Sequence, residues 1–420
     1  MNILVITKAA WDDRLASGNT LSNFFEGWEK DNFFCLYSRN AMPNNKVCNE
    51  YLSISPFAIV KNIFRPSKIG SRFFYNNESY QDDDSELKMI AVAKQNKTIF
   101  QLIYHLLYST NLWKNNSFKK FIKDSNPDIV FCFGQTDPLT CKALKYVKQH
   151  TKAKIISYFV DDLYKNEFSF VNVLQRLKNE YLMEISEMSD LRYAISQRMC
   201  DEYNELYRKP FHLLHKGCDI SEPKAHVNKP IKFVYAGNLF YNRDSILCAL
   251  ASAISKVNEG IPKAYLDIYS STQVDNIIFS KLNIKGASTL HKARPFDEIK
   301  QIMRDADIVL HVESFNKEQM KLVRLSFSTK ITDCMQSGSM MMAIGPNTIA
   351  SIDYATHVPG CIVINNLENL ENTIKVLVNH HSVILENAAK TNKYAKENIE
   401  IYSLRNRMRS EFTRLINKRQ

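Results

Sequence analysis

The sequence predicts an α/β protein with two doubly wound domains. Short runs rich in β-branched and aromatic residues alternate with helical patterns, as expected for parallel sheets covered by helices. The alternation occurs twice, on either side of residues 219–230, a polar stretch that contains two prolines and is predicted to be a linker. The chain has 420 residues, 45% of them hydrophobic, which exceeds one ordinary core and suffices for two.

The first domain, residues 1–218, is predicted to contain five strands. They cover residues 3–6, 33–37, 129–133, 155–159 and 191–195, each a short apolar run. Residues 57–113 are rich in aromatics and lysine and depart from the alternation, so we interpret them as a helical elaboration of this domain.

The second domain, residues 231–381, repeats the pattern. Its predicted strands cover residues 231–235, 265–269, 308–312, 340–344 and 361–364, with helices near 245–258, 296–305 and 328–337. Residues 286–294 are interpreted as a loop. Residues 382–420 are predicted to form basic helices, and packing back on the first domain is one arrangement open to them.

Charge and composition favour anionic partners in a reducing compartment. The formal net charge is +11, which suits nucleic acid, an acidic membrane surface or phosphorylated small molecules. The nine cysteines form no C-x-x-C pair, and we expect a cytoplasmic protein without an export signal or a membrane span. No G-x-G-x-x-G follows the first strand, so NAD and FAD have little support. The histidines lack metal-ligand spacing, so we predict neither a metal nor a cofactor.

Residues 326–338 are the most informative stretch, and we call them the phosphate cradle. Ser328 and Thr329 are predicted to cap a helix that ends at Gly338. A helix N-terminus attracts anions, and Lys330 in its first turn adds a full positive charge. Asp333, one turn further on, is placed to accept from ribose hydroxyls. The cradle therefore predicts a nucleotide diphosphate site.

Other positions in the second domain have two interpretations each. Gly237 permits a close approach of a ligand, and Arg243, six residues later, is either a paired donor to a diphosphate or an ordinary exposed arginine at a helix start. Arg324 either adds positive charge to the cradle or lies on a solvated face.

The loop after the first strand also has two interpretations. Ser17, Gly18 and Asn19 precede a helix predicted to start near Thr20. Their backbone N–H groups can bind an anionic group, or they form a flexible turn and an N-cap.

Two adjacent carboxylates, Asp161 and Asp162, follow the strand at 155–159. Like charges close together raise one pKa, so the pair can orient a hydroxyl or share the work of a general base. A capping pair for the next helix explains them equally well. Asp137 follows the strand at 129–133 and is a further candidate for the site, but a helix cap explains it equally well.

These motifs resemble the bacterial GT-B glycosyltransferases of family 4, found in surface-polysaccharide pathways. The opening motif of the family's second domain is matched by Gly237, Asn238, Leu239 and Arg243, with Asn238 in place of an arginine. The closing motif is matched by the aromatic Phe327, the acid Asp333 and the glycine Gly338, while Leu325 stands where the family has its first acid. Residues 215–219 are similar to the family's turn at the end of the first domain.

The resemblance implies a fold and a set of roles. The fold is the GT-B architecture, two Rossmann-like domains facing across a cleft with a C-terminal helical segment. Donor binding is assigned to Gly237, Asn238, Arg243, Arg324, Ser328, Thr329, Lys330 and Asp333, acceptor or phosphate contacts to Ser17, Gly18 and Asn19, and catalysis to Asp161 and Asp162. Donors would be UDP-sugars or GDP-sugars, and transfer would be metal-independent and retaining.

Three function classes follow from these observations. The first is a hexosyl-type glycosyltransferase acting on a glycan or lipid-linked acceptor, in the cytoplasm or peripherally on the inner face of an anionic plasma membrane. The second is a non-catalytic sugar-nucleotide-binding partner subunit, motivated by Leu325 and Asn238. The third, nucleic-acid binding, rests on charge alone and has no recognised module, so no specific nucleic acid is expected.

Overall fold

The computed structural model describes residues 1–39, 41–74, 97–165 and 173–418. These residues divide into two compact units. Unit 1 comprises Met1–Ile195, Cys200–Leu214 and Arg405–Gln420, and unit 2 comprises Ser196–Met199 and His215–Leu404. Each unit is built around one sheet.

The unit 1 sheet has the strand order β4-β3-β2-β1-β5-β6-β7-β8 in the part of the chain that is described. All neighbours are parallel except the β3–β4 pair. The order reverses beside β1, which creates a switch point where ligands bind in open α/β sheets. The strands are β1 Asn2–Thr7, β2 Asn32–Tyr37, β3 Glu50–Ser53, β4 Ser71–Phe74, β5 Ile129–Phe133, β6 Lys154–Phe159, β7 Leu191–Ala194 and β8 His212–Leu213.

Helices cover the unit 1 sheet because its strands are apolar on both faces. All five residues of β5 are buried, as are five of six in β1. The helices are α1 Ala16–Phe25, α2 Pro56–Lys61, α3 Lys97–Ser109, α4 Asn116–Ser125, α5 Pro138–His150, α6 Val173–Met188 and α7 Gln197–Tyr207. A short 3-10 turn occupies Pro66–Lys68.

The unit 2 sheet is entirely parallel, with the order β11-β10-β9-β12-β13-β14. Its strands are β9 Ile231–Ala236, β10 Ala264–Ser270, β11 Ser288–Lys292, β12 Ile308–Val312, β13 Met340–Ile344 and β14 Ile362–Ile364. Its helices are α8 Arg243–Asn258, α9 Asn276–Leu282, α10 Phe296–Asp305, α11 Lys317–Val323, α12 Thr329–Gln336, α13 Ala350–Thr356, α14 Leu370–Asn379 and α15 His381–Asn398. The final helix, α16, spans Ile401–Asn417.

The strands predicted from apolar runs are confirmed, but unit 1 also contains β3, β4 and β8, which were not predicted. Three local predictions are wrong. Residues 288–292 form edge strand β11 rather than a loop; the run is polar and only Ser288 is buried, so hydrophobic periodicity gave no signal. Helix α1 begins at Ala16 rather than near Thr20. Residues 57–113 include strand β4 as well as helices, and residues 75–96 of that prediction lie outside the described residues.

The C-terminal helix α16 supplies core residues to unit 1. Phe412 packs edge-on against Trp28, with ring centres 5.6 Å apart, and is fully buried. Arg409 pairs with the buried carboxylate of Asp31 at 2.9 Å. Within the described residues, no helix combines the length and the apolar character needed to cross a bilayer.

Candidate functional site

The phosphate cradle of unit 2 has the predicted local structure. Ser328 is the N-cap of α12, and its hydroxyl accepts from the backbone N–H of Lys330 at 3.4 Å. The helix ends at Gln336, and Gly338 follows with a φ of 78°. A Cβ at this glycine would lie 2.1 Å from the carbonyl oxygen of Glu222, so both the backbone conformation and the close approach require glycine.

The side chain of Lys330 crosses the backbone at the end of strand β9. A Cβ built on Gly237 would lie 1.9 Å from Lys330 Cε and 2.7 Å from Nζ. The absence of a side chain at Gly237 therefore leaves room for the lysine side chain, whereas the sequence suggested that it leaves room for a ligand. This contact brings an ammonium to the carboxyl edge of the sheet, where parallel α/β sheets bind ligands.

Arg243, the first residue of α8, is buried in a bidentate ion pair. Its Nη2 donates to both carboxylate oxygens of Glu313 at 2.9 Å, and its Nε donates to the Val312 carbonyl at 3.1 Å. Its Nη1 donates to the side-chain oxygen of Asn238 at 2.8 Å. The exposed helix-start interpretation of Arg243 is thus wrong, because the residue is only 6% exposed.

Glu313 is a site residue that the sequence reasoning missed. It directly follows β12 at the carboxyl edge of the sheet, and an acid directly after a predicted strand could have been recognised as a candidate. Burial raises the pKa of its carboxyl, while the adjacent Arg243 opposes that shift. The two charges stay paired, because separating them would leave a charge buried without a counter-ion.

The neighbouring His311 is neutral. Its Nε2 lies 3.0 Å from the Ser351 hydroxyl and 3.6 Å from a carboxylate oxygen of Glu313. Burial, with Arg243 and Lys330 adding to it, lowers the pKa of His311 to about 3. The imidazole therefore contributes no positive charge near neutral pH.

Burial also dominates the electrostatics of the cradle itself. It lowers the pKa of Lys330, an effect to which Arg243 adds and which Glu313 and Asp333 oppose. It raises the pKa of Asp333, against the opposing charges of Lys216 and Lys330. Lys330 and Asp333 line one small cavity together with Ala236 of β9 and Phe296 of α10. Cation and carboxylate thus face the same space, one helical turn apart.

Leu325 and Phe327 are structural in this arrangement. Leu325 is fully buried, and its carbonyl accepts from the Ser196 hydroxyl at 2.9 Å. Phe327 stacks on His215 with ring centres 4.2 Å apart. The carbonyl of Arg324 accepts from the backbone N–H of Ala350 at 2.9 Å. The donor-binding roles assigned to Arg324 and Thr329 stay predictions, as do those assigned to the other donor residues.

In unit 1, Ser17, Gly18 and Asn19 lie within the first turn of α1 rather than in a turn before it. A Cβ on Gly18 would lie 2.1 Å from the Asp12 carbonyl oxygen. The glycine is therefore required because the preceding loop packs on the helix. An anion-binding role for this turn stays a prediction.

Asp161 and Asp162 follow β6 at the carboxyl edge of the unit 1 sheet. Partial burial raises the pKa of Asp161. The Asp161 carbonyl accepts from the backbone N–H of Leu163 at 3.0 Å. Residues 166–172 lie outside the described residues, and the catalytic role of the pair stays a prediction.

A polar cluster at the carboxyl edge of unit 1 was only partly anticipated. Asp137 caps α5 by accepting from the backbone N–H of Thr140 at 2.9 Å, as one interpretation predicted. Its other oxygen accepts from Ser38 at 3.1 Å and from the hydroxyl of Tyr104. Lys8 lies over the Tyr104 ring, and burial lowers the pKa of its amine while Asp137 opposes that change. Four separate elements thus place charged and hydroxyl groups together at the switch point of this sheet.

Solved structures resemble this chain over nearly its whole length. The structure of Anabaena Alr3699/HepE in complex with UDP superposes with a TM-score of 0.62 at 11% identity, covering 98% of this chain and 100% of that one. Sucrose-phosphate synthase from Thermosynechococcus elongatus gives a TM-score of 0.60 at 10% identity, covering 99% of both chains. Both are GT-B glycosyltransferases. The chain has the GT-B fold.

The GT-B fold confirms the predicted fold class. No family model matches the sequence, and no curated protein matches it either. A third GT-B structure, described as trehalose-6-phosphate from E. coli bound with UDP-2-fluoro glucose, has a TM-score of 0.58 at 11% identity and covers 98% of each chain. At such low identity the likeness establishes the fold, while site chemistry has to be argued from this chain's own residues.

Proposed function

We propose that this protein is a glycosyltransferase that moves a sugar from a nucleotide diphosphate-sugar to a glycan or lipid-linked acceptor in bacterial surface-polysaccharide synthesis. The observation that carries the proposal is the position of the Lys330 ammonium. Lys330 lies in the first turn of α12, and its side chain lies over Gly237 at the end of β9. A positive side chain, a helix N-terminus and the carboxyl edge of a parallel sheet meet there, and all three favour phosphate.

The donor diphosphate would bind at Lys330 and the first turn of α12, and Asp333 would accept from the ribose. The resembling structures support a uridine donor, because one of them is in complex with UDP and another, of the same Anabaena protein, with UDP-glucose. Arg243 reaches this site with its Nε and Nη2 already donating to Val312 and Glu313. Its contribution to a diphosphate would come through Nη1, which also donates to Asn238.

The chemistry we propose is stabilisation of the departing nucleoside diphosphate by fixed positive charge. A cation and helix dipole in a partly buried site stabilise developing negative charge without reorganising. We therefore propose a metal-independent transfer, and from the resemblance to family 4 we propose that it is retaining. Asp161 and Asp162 would orient or deprotonate the acceptor hydroxyl, and the Ser17–Asn19 turn would contact the acceptor or a phosphate.

A thermal-shift panel of UDP, GDP, CMP and their sugars tests donor binding. A ligand at one hundred times its dissociation constant stabilises a fold by about 2.7 kcal/mol, well within detection. We expect a UDP or GDP compound to raise the transition temperature. If no nucleotide changes it, the proposal is wrong.

Lysine variants locate the site. Lys330→Ala should remove most of the nucleotide shift. Lys256→Ala is the matched control, because Lys256 is an exposed lysine in the last turn of α8, about 20 Å along the helix from Arg243. Equal shifts in both variants would refute the phosphate contact.

Leu325 favours a second candidate, a non-catalytic sugar-nucleotide-binding subunit, because a buried leucine replaces the acid expected near the donor sugar. An assay of nucleotide release distinguishes the two candidates, with the nucleotide-sugar that gives the largest thermal shift as the donor. Tight binding without release, across glycan and lipid-linked acceptors, would favour the subunit over the enzyme.

A further inference from the structure

Helix α2, the turn after it and helix α3 of unit 1 expose apolar side chains to solvent. Phe64, just after α2, is 95% exposed, and Leu106 on α3 is 66% exposed. The remaining members of this set are 42–45% exposed; they are Val60, Ile63, Leu102 and Ile103. Together these six residues are called the apolar face, and such clustering is unusual for a surface that faces only water.

The apolar face is built on a well-anchored support. The Tyr108 hydroxyl, on the opposite side of α3, donates to the Ile54 carbonyl at 2.7 Å. Asn115, after α3, donates through its side chain to the Pro66 carbonyl at 2.9 Å, which ties down the turn after α2. The inward side of α3 is thus already packed. Leu102, Ile103 and Leu106, at positions i, i+1 and i+4, lie on its outward side.

The charge around the apolar face is net positive. Residues 51–123 contain eleven lysines and arginines and five aspartates and glutamates, and all five acids lie in residues 75–96, outside the described part of the chain. Lys61, Arg65 and Lys68 are exposed among the apolar residues themselves. A second copy of this chain would bring like charges together, whereas an anionic lipid surface complements both the cations and the apolar side chains.

We propose that the apolar face and its lysines and arginines dock this protein on an anionic membrane, with Phe64 and Leu106 entering the headgroup region. This surface belongs to unit 1, whereas Lys330 belongs to unit 2, and it rests on different observations from the proposed function. Membrane docking and nucleotide binding therefore fail or succeed independently.

Flotation with phosphatidylcholine vesicles, with and without phosphatidylglycerol, tests the proposal. We expect binding only with phosphatidylglycerol, weakening as salt is raised. Lys61→Gln with Lys68→Gln should weaken partitioning by roughly 30-fold, from the usual contribution of a lysine near an anionic surface. Lys281→Gln with Lys285→Gln, exposed lysines of unit 2, removes the same charge and should change partitioning little.

The apolar contribution is tested by Phe64→Ser with Leu106→Ser, expected to weaken partitioning by at least about tenfold. Ile277→Ser with Phe279→Ser is the control, since these unit 2 residues are 67% and 51% exposed. An unchanged transition temperature shows that each variant is folded. Equal flotation of the two serine variants would overturn the proposal. So would loss of self-association by the Phe64/Leu106 variant in sedimentation, which would make the face a contact between copies.

Discussion

Replacing Gly237 by alanine tests whether this glycine exists to admit Lys330. The new Cβ would lie 1.9 Å from Lys330 Cε, while carbon atoms in contact are about 3.5–4.0 Å apart. The lysine end must therefore move by roughly 2 Å, which is enough to break a hydrogen bond to phosphate. Gly237 is not in the left-handed region, and the three nearest atoms to the Cβ all belong to Lys330. The fold should thus lose little stability.

The expected loss is in nucleotide affinity. A hydrogen bond to a charged group contributes about 1.5–3 kcal/mol, so Gly237→Ala should raise the dissociation constant roughly 10- to 150-fold. Isothermal titration calorimetry measures this directly with the nucleotide that gives the largest thermal shift. Gly260→Ala is a useful control, because Gly260 has a φ of 90° with nothing within 4 Å. That variant should lose stability without losing affinity.

A double-mutant cycle decides whether the effect acts through Lys330. In the Lys330→Ala background, Gly237→Ala should cause no further loss of affinity, because the side chain that it displaces is gone. A second loss of similar size in that background would refute the reasoning. So would unchanged affinity in Gly237→Ala alone.

Four further outcomes are expected. Glu313→Gln leaves the Arg243 guanidinium buried without its counter-charge, so it should lower the free energy of unfolding, measured in urea, by about 3–5 kcal/mol. Glu318→Gln is the control, because Glu318 belongs to an exposed ion pair and its loss should change the free energy of unfolding little. Equal effects of the two substitutions would contradict the buried pair. Nucleotide affinity should fall as pH rises through the lowered pKa of Lys330, which lies below its ordinary 10.5, and Lys330→Arg should remove this fall in calorimetry. Stability without ligand should rise over the same pH window, because the unfolded chain binds that proton more tightly. Gly18→Ala should lower the thermal transition clearly, since its Cβ would meet backbone atoms; an unchanged transition would contradict that packing.

Local features of the site were accessible from the sequence. The Ser328 cap and the Gly338 stop depend on a few neighbouring residues, so the pattern predicted both. Strand β11 was missed because edge strands bury little apolar surface and their polar sequence resembles a loop. The start of α1 was missed because its N-cap, Leu15, makes no side-chain cap hydrogen bond.

The sequence by itself determined the two-fold α/β organisation and the helix that presents Lys330 and Asp333, because hydrophobic periodicity and capping act over a few residues. Only the tertiary structure decided what those groups face. Arg243 and Glu313 are 70 residues apart in the chain and meet because β9 and β12 are neighbours in the sheet. Lys330 reaches Gly237 for the same reason, since strand order brings separate loops to one edge, and strand order is not written in any local pattern.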